Sequence, residues 1–291
     1  MRDLIMHRHV VWQRFILALA FIGAMLLGTV AHGAAPTPPE TIGEAVVLID
    51  ADNKEILFAK NPDKWMHPAS TTKMVTLLTA LELKGTQLDE LATISPYATS
   101  MEESNLGVQV GDQITLEGVL EGMMVASGND AAVVVAENVS GSVENFAKDM
   151  NRIAAKAGAK NSVFLNPHGL TQMGHHSTAR DLALIAAYGM KYQMFRDKVA
   201  NDYYKVPYQN RTPETIRTTN HFIRNKWLNS PSRMFPKRKV AVFGSQVGID
   251  EAIFVLFIYN NTNNVVRPHH TMFLPILRYK CSLSNSTNTT C

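Results

Sequence analysis

Pro68-Ala69-Ser70-Thr71-Thr72-Lys73-Met74 is the stretch on which the fold reading turns, because the periodicity of the chain changes there. Upstream, Glu44-Ala-Val-Val-Leu-Ile-Asp50 and Glu55-Ile-Leu-Phe-Ala59 are β-rich runs joined by Ala51-Asp52-Asn53-Lys54, the pattern of a hairpin. Downstream, Met74, Leu77, Leu78 and Leu81 recur at spacings of three and four, which predicts a helix from about Pro68. Residues three apart share a helix face, so the Ser70 hydroxyl and the Lys73 amine come within hydrogen-bonding reach. An unassisted serine hydroxyl is a poor nucleophile at neutral pH, and a desolvated, neutral lysine is one base that can activate it. The positive end of the helix disfavours the charged ammonium. The spacing alone also fits an N-capping serine followed by a surface lysine, but Ser70 is the only serine of the chain with Lys three residues later.

Beyond this helix, Thr115 to Ala126 and Asp130 to Val139 are apolar-rich helix candidates interrupted at Ser127-Gly128-Asn129. A short polar break between buried helices can set a hydroxyl and a carboxamide against the first site. Judged alone, it fits equally well a helix stop and restart with Asn129 as N-cap. Ser142 to Ala157 is amphipathic and ends at Gly158. Ser162 to Leu170 reads as a connection or short strand containing Asn166-Pro167-His168-Gly169-Leu170, and Thr178 can cap a helix from Ala179 to about Tyr188, with Asp181 favouring its positive end. Helices clustered between an early hairpin and later β material give an α+β fold class.

The ends of the chain differ from its middle. Arg2, Arg8 and Arg14 precede an uncharged run from Phe15 to Val30 and then Ala31-His32-Gly33-Ala34, the order of a secretory signal, so residues 1–33 are read as a signal peptide cleaved after Gly33. The apolar run is shorter than the roughly 20 residues that span a bilayer. Residues 34–41, rich in Pro and Thr, read as a linker. Of the formal charge of +3, the signal supplies +2, three Arg less Asp3, and nothing in the remainder points to nucleic acid. Residues 227–291 carry seven Lys or Arg against two Asp or Glu, both cysteines, Cys281 and Cys291, and an Asn/Thr/Ser-rich ending. Ala252 to Tyr259 is a strand candidate, and no membrane anchor is recognisable. His175-His176 lack the Cys, Asp or Glu spacing of a metal site and read as a surface loop, and His67 and His168 read as structural. No metal or cofactor is expected.

Taken together and in order, Pro68 to Met74, Ser127-Gly128-Asn129-Asp130-Ala131-Ala132 and Asn166-Pro167-His168-Gly169-Leu170 resemble the low-molecular-weight penicillin-binding proteins. These serine D-alanyl-D-alanine carboxypeptidases, of the peptidase S11 type, are relatives of the class A β-lactamases. The resemblance covers residues 42–226. It implies a β-lactamase/transpeptidase-like α+β fold, a helical cluster packed on an antiparallel sheet. It also implies an exported enzyme on the outer face of the cell membrane that removes the terminal D-alanine from peptidoglycan stem peptides. Ser70 would form the acyl-enzyme with Lys73 as general base; Ser127 would relay a proton to the departing D-alanine, and Asn129 would hold the substrate backbone. The partners implied are a stem peptide ending in D-Ala-D-Ala and β-lactam antibiotics that acylate Ser70.

The sequence departs from this family toward its C-terminus, where the usual second, β-rich domain and amphipathic anchor are not recognisable and one motif is missing. The third motif, K-T-G or a close variant on an edge strand, should follow a segment like Thr219 to Lys226, and no Lys-Thr-Gly, Lys-Ser-Gly or His-Thr-Gly occurs in the chain. Residues 227–291 therefore read as a divergent tail, the product of a frameshift or chimeric end, leaving the sheet incomplete after residue 226 and the activity impaired. A genuine divergent tail, with Lys237-Arg238-Lys239 placing cations at a strand, is the alternative origin. Two other functional readings remain open: a catalytically dead penicillin- or peptidoglycan-binding remnant, and a class A β-lactamase. The latter needs a deacylating glutamate, and residues 161–172 contain none.

Overall fold

The computed structural model describes residues 43–85 and 87–219 in full, together with the backbone of two strands at 238–246 and 252–260. The chain divides into two units, Met1–Pro38 and Pro39–Cys291; the signal, linker and anchor readings lie outside the described residues, as do both cysteines. Among the described residues no helix is long and apolar enough to cross a membrane.

The opening hairpin forms as its sequence predicts. β1 (Ala45–Asp50) and β2 (Ile56–Lys60) pair antiparallel, with Val46 opposite Lys60 and an irregularity between Leu48 and Ile49. Ala45, Val47 and Ile49 point into the main core while Val46 and Leu48, on the opposite face, are buried too, as befits an interior strand. Two strands from beyond residue 226 extend the sheet, β5 (Arg238–Gln246) and β6 (Ala252–Asn260), in the order β2-β1-β6-β5 among the described residues. The sheet thus continues into the tail rather than ending at 226. One pair departs from the antiparallel expectation: β1 and β6 run parallel, Ala45 opposite Ile253 through Asp50 opposite Ile258. β5 stands at the end of this order opposite β2 and lies against the turn that carries Ser70.

Helices cover the sheet. α1 (Thr72–Lys84) is entered through a 3-10 turn, Ala69–Thr71. α2 (Pro96–Thr99), α3 (Leu116–Ala126), α4 (Asn129–Ser140), α5 (Val143–Ala157), α6 (Ala179–Gly189) and α7 (Gln193–Lys198) follow. A short hairpin, β3 (Tyr203–Val206) with β4 (Glu214–Arg217), comes after them. Thr178 caps its helix as read, its side chain accepting the N–H of Asp181, and Thr115 and Ser142, read only as helix bounds, likewise accept the N–H groups of Gly118 and Asn145.

α1 is the axis of the helical layer. Every residue from Thr72 to Leu81 is buried, because α3, α4, α5 and α6 all pack on it. A helix buried all round needs partners for its polar groups. Thr72 finds the ring of His175, Thr76 Oγ1 donates to the Pro167 carbonyl over 2.6 Å, and Lys73 is held as described below.

Candidate active site

Ser70 and Lys73 straddle the join between the 3-10 turn and α1, which fixes their relation. Ser70 is exposed, Lys73 is 2% exposed, and Lys73 Nζ lies 3.3 Å from Ser70 Oγ. Ala69, immediately before the serine, takes φ 44°, a left-handed conformation uncommon for a residue with a Cβ. The same amine donates to Asn129 Oδ1 at 2.8 Å and to the His168 carbonyl at 2.9 Å. The three stretches singled out in the sequence therefore converge on one nitrogen.

Asn129 reaches Lys73 because the chain turns sharply between α3 and α4. Ser127 ends α3 in the left-handed region at φ 57°, ψ 34°, and Gly128, not Asn129, is the N-cap of α4. Freed from capping, the Asn129 side chain spans Lys73 on one side and, through Nδ2, the Glu102 carbonyl at 3.1 Å on the other. Asp130, next in line and 2% exposed, accepts the N–H groups of Leu106, Gly107 and Val108 at 2.7, 2.8 and 3.1 Å. That carboxylate ties the loop at 102–108 to the start of α4. Ser127 is half-buried on the same turn, and its hydroxyl is not joined to Ser70 or Lys73 as the Asn129 side chain is joined to Lys73.

The third stretch forms the opposite wall. Asn166 Oδ1 accepts from Gly169 N at 2.7 Å, and its Nδ2 donates to the Leu170 carbonyl at 3.0 Å and to Gln172 Oε1 at 3.1 Å. The His168 ring accepts from Leu170 N at 3.1 Å through Nδ1, which puts its proton on Nε2. His175 behaves alike: Nδ1 accepts from Leu165 N, and Nε2 faces Thr72 Oγ1 at 3.1 Å. The surface-loop reading of His175-His176 is thus corrected for His175, which is 1% exposed beneath the first turn of α1, while His176 is half-buried and stacks on Trp65. Among the described residues no cluster of His, Cys, Asp or Glu could hold a metal ion.

Burial governs the charge state here. Loss of hydration pushes the Lys73 amine down from its ordinary 10.5 to about 7, against the opposing pull of Asp130 and Glu103. Burial also takes the His168 and His175 rings down to about 4, with Lys73 and His67 respectively adding to it, so both are neutral near pH 7. A near-neutral amine in contact with an exposed hydroxyl has the chemistry to serve as its base.

Comparison with known proteins gives the family and the fold. The family description "D-alanyl-D-alanine carboxypeptidase" (peptidase S11) matches residues 32–232. The chain belongs to that family. It is 37% identical over 187 residues to the D-alanyl-D-alanine carboxypeptidase DacF of Bacillus subtilis, a match of 61% of this chain and 48% of that protein. It thus spans about half the length of the curated relatives it matches. Among solved structures, penicillin binding protein 5 from Haemophilus influenzae superposes with a TM-score of 0.61 at 26% identity, over 76% of this chain and 66% of the other. A mutant of the Streptomyces K15 DD-transpeptidase gives 0.62 at 26% identity, over 75% and 91%. The S11 carboxypeptidase fold is therefore that of this chain, and Asn166 to Leu170, matched within the family region, supplies the backbone carbonyl that touches Lys73. Sequence reasoning treated His168 as structural and did not foresee that its carbonyl is a ligand of the amine. The signal was there in Gly169, a glycine beside a buried turn.

Proposed function

We propose that this chain is an exported serine-type D-Ala-D-Ala carboxypeptidase acting on peptidoglycan stem peptides, impaired by the loss of its K-T-G motif. The observation that carries the reading is the buried Lys73 amine, lowered to about 7 and 3.3 Å from the exposed Ser70 Oγ. In the step envisaged, the Ser70 O–H bond breaks as its proton passes to Lys73, and Oγ bonds to the carbonyl carbon between the two terminal D-alanines. The C–N bond then breaks as Lys73 returns its proton to Ser127 and Ser127 gives its own to the departing D-alanine amine; water then adds to the ester, one of its protons going to Ser70 Oγ as the acyl C–O bond breaks and the acid is released. Asn129 would hold the substrate backbone by exchanging the Glu102 carbonyl at its Nδ2 for a substrate carbonyl. A β-lactam would acylate Ser70 by the same attack.

The impairment follows from what the sequence of β5 lacks. That strand lies where a substrate could align with the Ser70 turn, yet it offers no Lys-Thr-Gly for the terminal carboxylate. Should the oxyanion also lose a donor, turnover falls about 100- to 1,000-fold. The account of the tail as a frameshift or chimeric end is tested by resequencing the codons for residues 220–245 and translating all three frames. Release of D-alanine from a D-Ala-D-Ala peptide by the purified mature chain should be far slower than for an intact family member; equal turnover contradicts the impairment. The second reading, a remnant that captures penicillin or peptidoglycan without turnover, is favoured by the same missing motif. A class A β-lactamase is disfavoured because residues 161–172 hold no carboxylate, and Asn166 commits its side chain to its own turn.

A further inference from the structure

Neither Asn166 nor Gly169 hydrogen-bonds Ser70 or Lys73, yet both fix the atom that faces the amine. A neutral lysine has two N–H donors and one lone pair, whereas a carbonyl oxygen can only accept. Asn129 Oδ1 at 2.8 Å and the His168 carbonyl at 2.9 Å therefore use both N–H groups, and the lone pair is left for Ser70, whose hydroxyl can donate. The position of the second carbonyl depends on close backbone contact. Gly169 has φ +93°, and a Cβ there would stand 1.9 Å from the Ala69 carbonyl oxygen and 2.9 Å from Thr72 Oγ1. Any side chain at 169 must push the turn off the segment that carries Ser70. Asn166, 4% exposed, closes the turn through Gly169 N, and Thr76 Oγ1 pins it to α1 by the Pro167 carbonyl.

We propose that Asn166 and Gly169 are positioning residues of the Ser70–Lys73 pair, pressing the His168 carbonyl onto the amine so that its lone pair is directed at Ser70 and water is kept from it. The proposal rests on the reading of Lys73 as the base. The charged and titratable groups facing Lys73 are Asp130 at the start of α4, Glu103 in the loop at 102–108 and the His168 ring from the turn itself. The two carboxylates favour the ammonium and only exclusion of water opposes them. A lifted turn admits water, the carboxylates prevail, and the amine stays protonated to higher pH.

The test is the titration of Lys73 in the full mature chain, followed by NMR of 13C-labelled lysine with the signal assigned through Lys73→Met. Asn166→Ala, Gly169→Ala and the near-isosteric Thr76→Val are compared with the parent. The parent should titrate near pH 7 and the variants at least about one pH unit higher. Their acylation by penicillin should be at least about fivefold slower at pH 7 and recover near pH 10, as the linkage between proton affinity and neutral fraction requires. Thr76→Val keeps the experiment decisive should Gly169→Ala not fold. A parent midpoint near 7 with unmoved variants, or variants slowed equally at every pH, overturns the positioning role alone. A parent midpoint near 10.5 overturns the reading of Lys73 as base, and the positioning role with it.

Discussion

Replacing Lys73 by Met should abolish a pH dependence of stability that the parent carries. In the unfolded chain the amine titrates near 10.5 and in the folded protein at about 7. Between those values the unfolded state binds more protons than the folded one, so stability rises with pH. The slope is about 1.4 kcal/mol per pH unit, which amounts to about 5 kcal/mol over the whole window and about 2 kcal/mol between pH 7 and 9. Below pH 7 the penalty is complete and constant; above 10.5 it is gone. The Met variant has no such slope, although it leaves Asn129 Oδ1 and the His168 carbonyl without their donor, which shifts its stability at every pH alike. Urea unfolding of both proteins at pH 6.5, 7.5, 8.5 and 9.5 measures the difference. A parent-minus-variant difference that does not change with pH refutes the claim that burial holds this amine near neutrality.

Two further outcomes follow from buried charges near the site. Lys198, 4% exposed, pairs with Glu121 at 2.9 Å and Glu117 at 3.1 Å, joining α7 to the helix that ends at Ser127. Lys198→Met strands a buried Glu121 and should cost about 3–5 kcal/mol in chemical unfolding at pH 7; a loss under about 1 kcal/mol contradicts the burial of that pair. Asp130→Ala removes the acceptor of three backbone N–H groups from 106–108 and should cost about 3 kcal/mol, with hydrogen exchange accelerated at Leu106 to Val108. Unchanged protection at those amides means the loop is held by something else.

What could be read from the sequence was what depends on near neighbours. Thr178 was legible as a helix cap because a hydroxyl three residues from an N–H needs nothing distant, and the helix starts read at Thr115 and Ser142 are set by the same local contact. The Ser70–Lys73 contact follows from helical spacing in the same way. Asn129 could not be decided locally: capping and contact with Lys73 fit the same three residues, and the contact spans 56 positions. His175 was misread because adjacent histidines resemble loop surface, while its burial comes from Thr72, 103 positions earlier. The parallel pairing of β1 with β6 joins residues some two hundred positions apart and has no local signature. The β3–β4 hairpin escaped notice because its four-residue strands are mostly exposed and carry no long apolar alternation.

The most direct test of the central claim is the mass of the purified mature chain after incubation with penicillin at pH 8, where most of the Lys73 amine is neutral. A single penicilloyl adduct, mapped to Ser70 and absent from Ser70→Ala, is the predicted result. No adduct, or one that persists in Ser70→Ala, contradicts the assignment of Ser70 and Lys73 as the reacting pair.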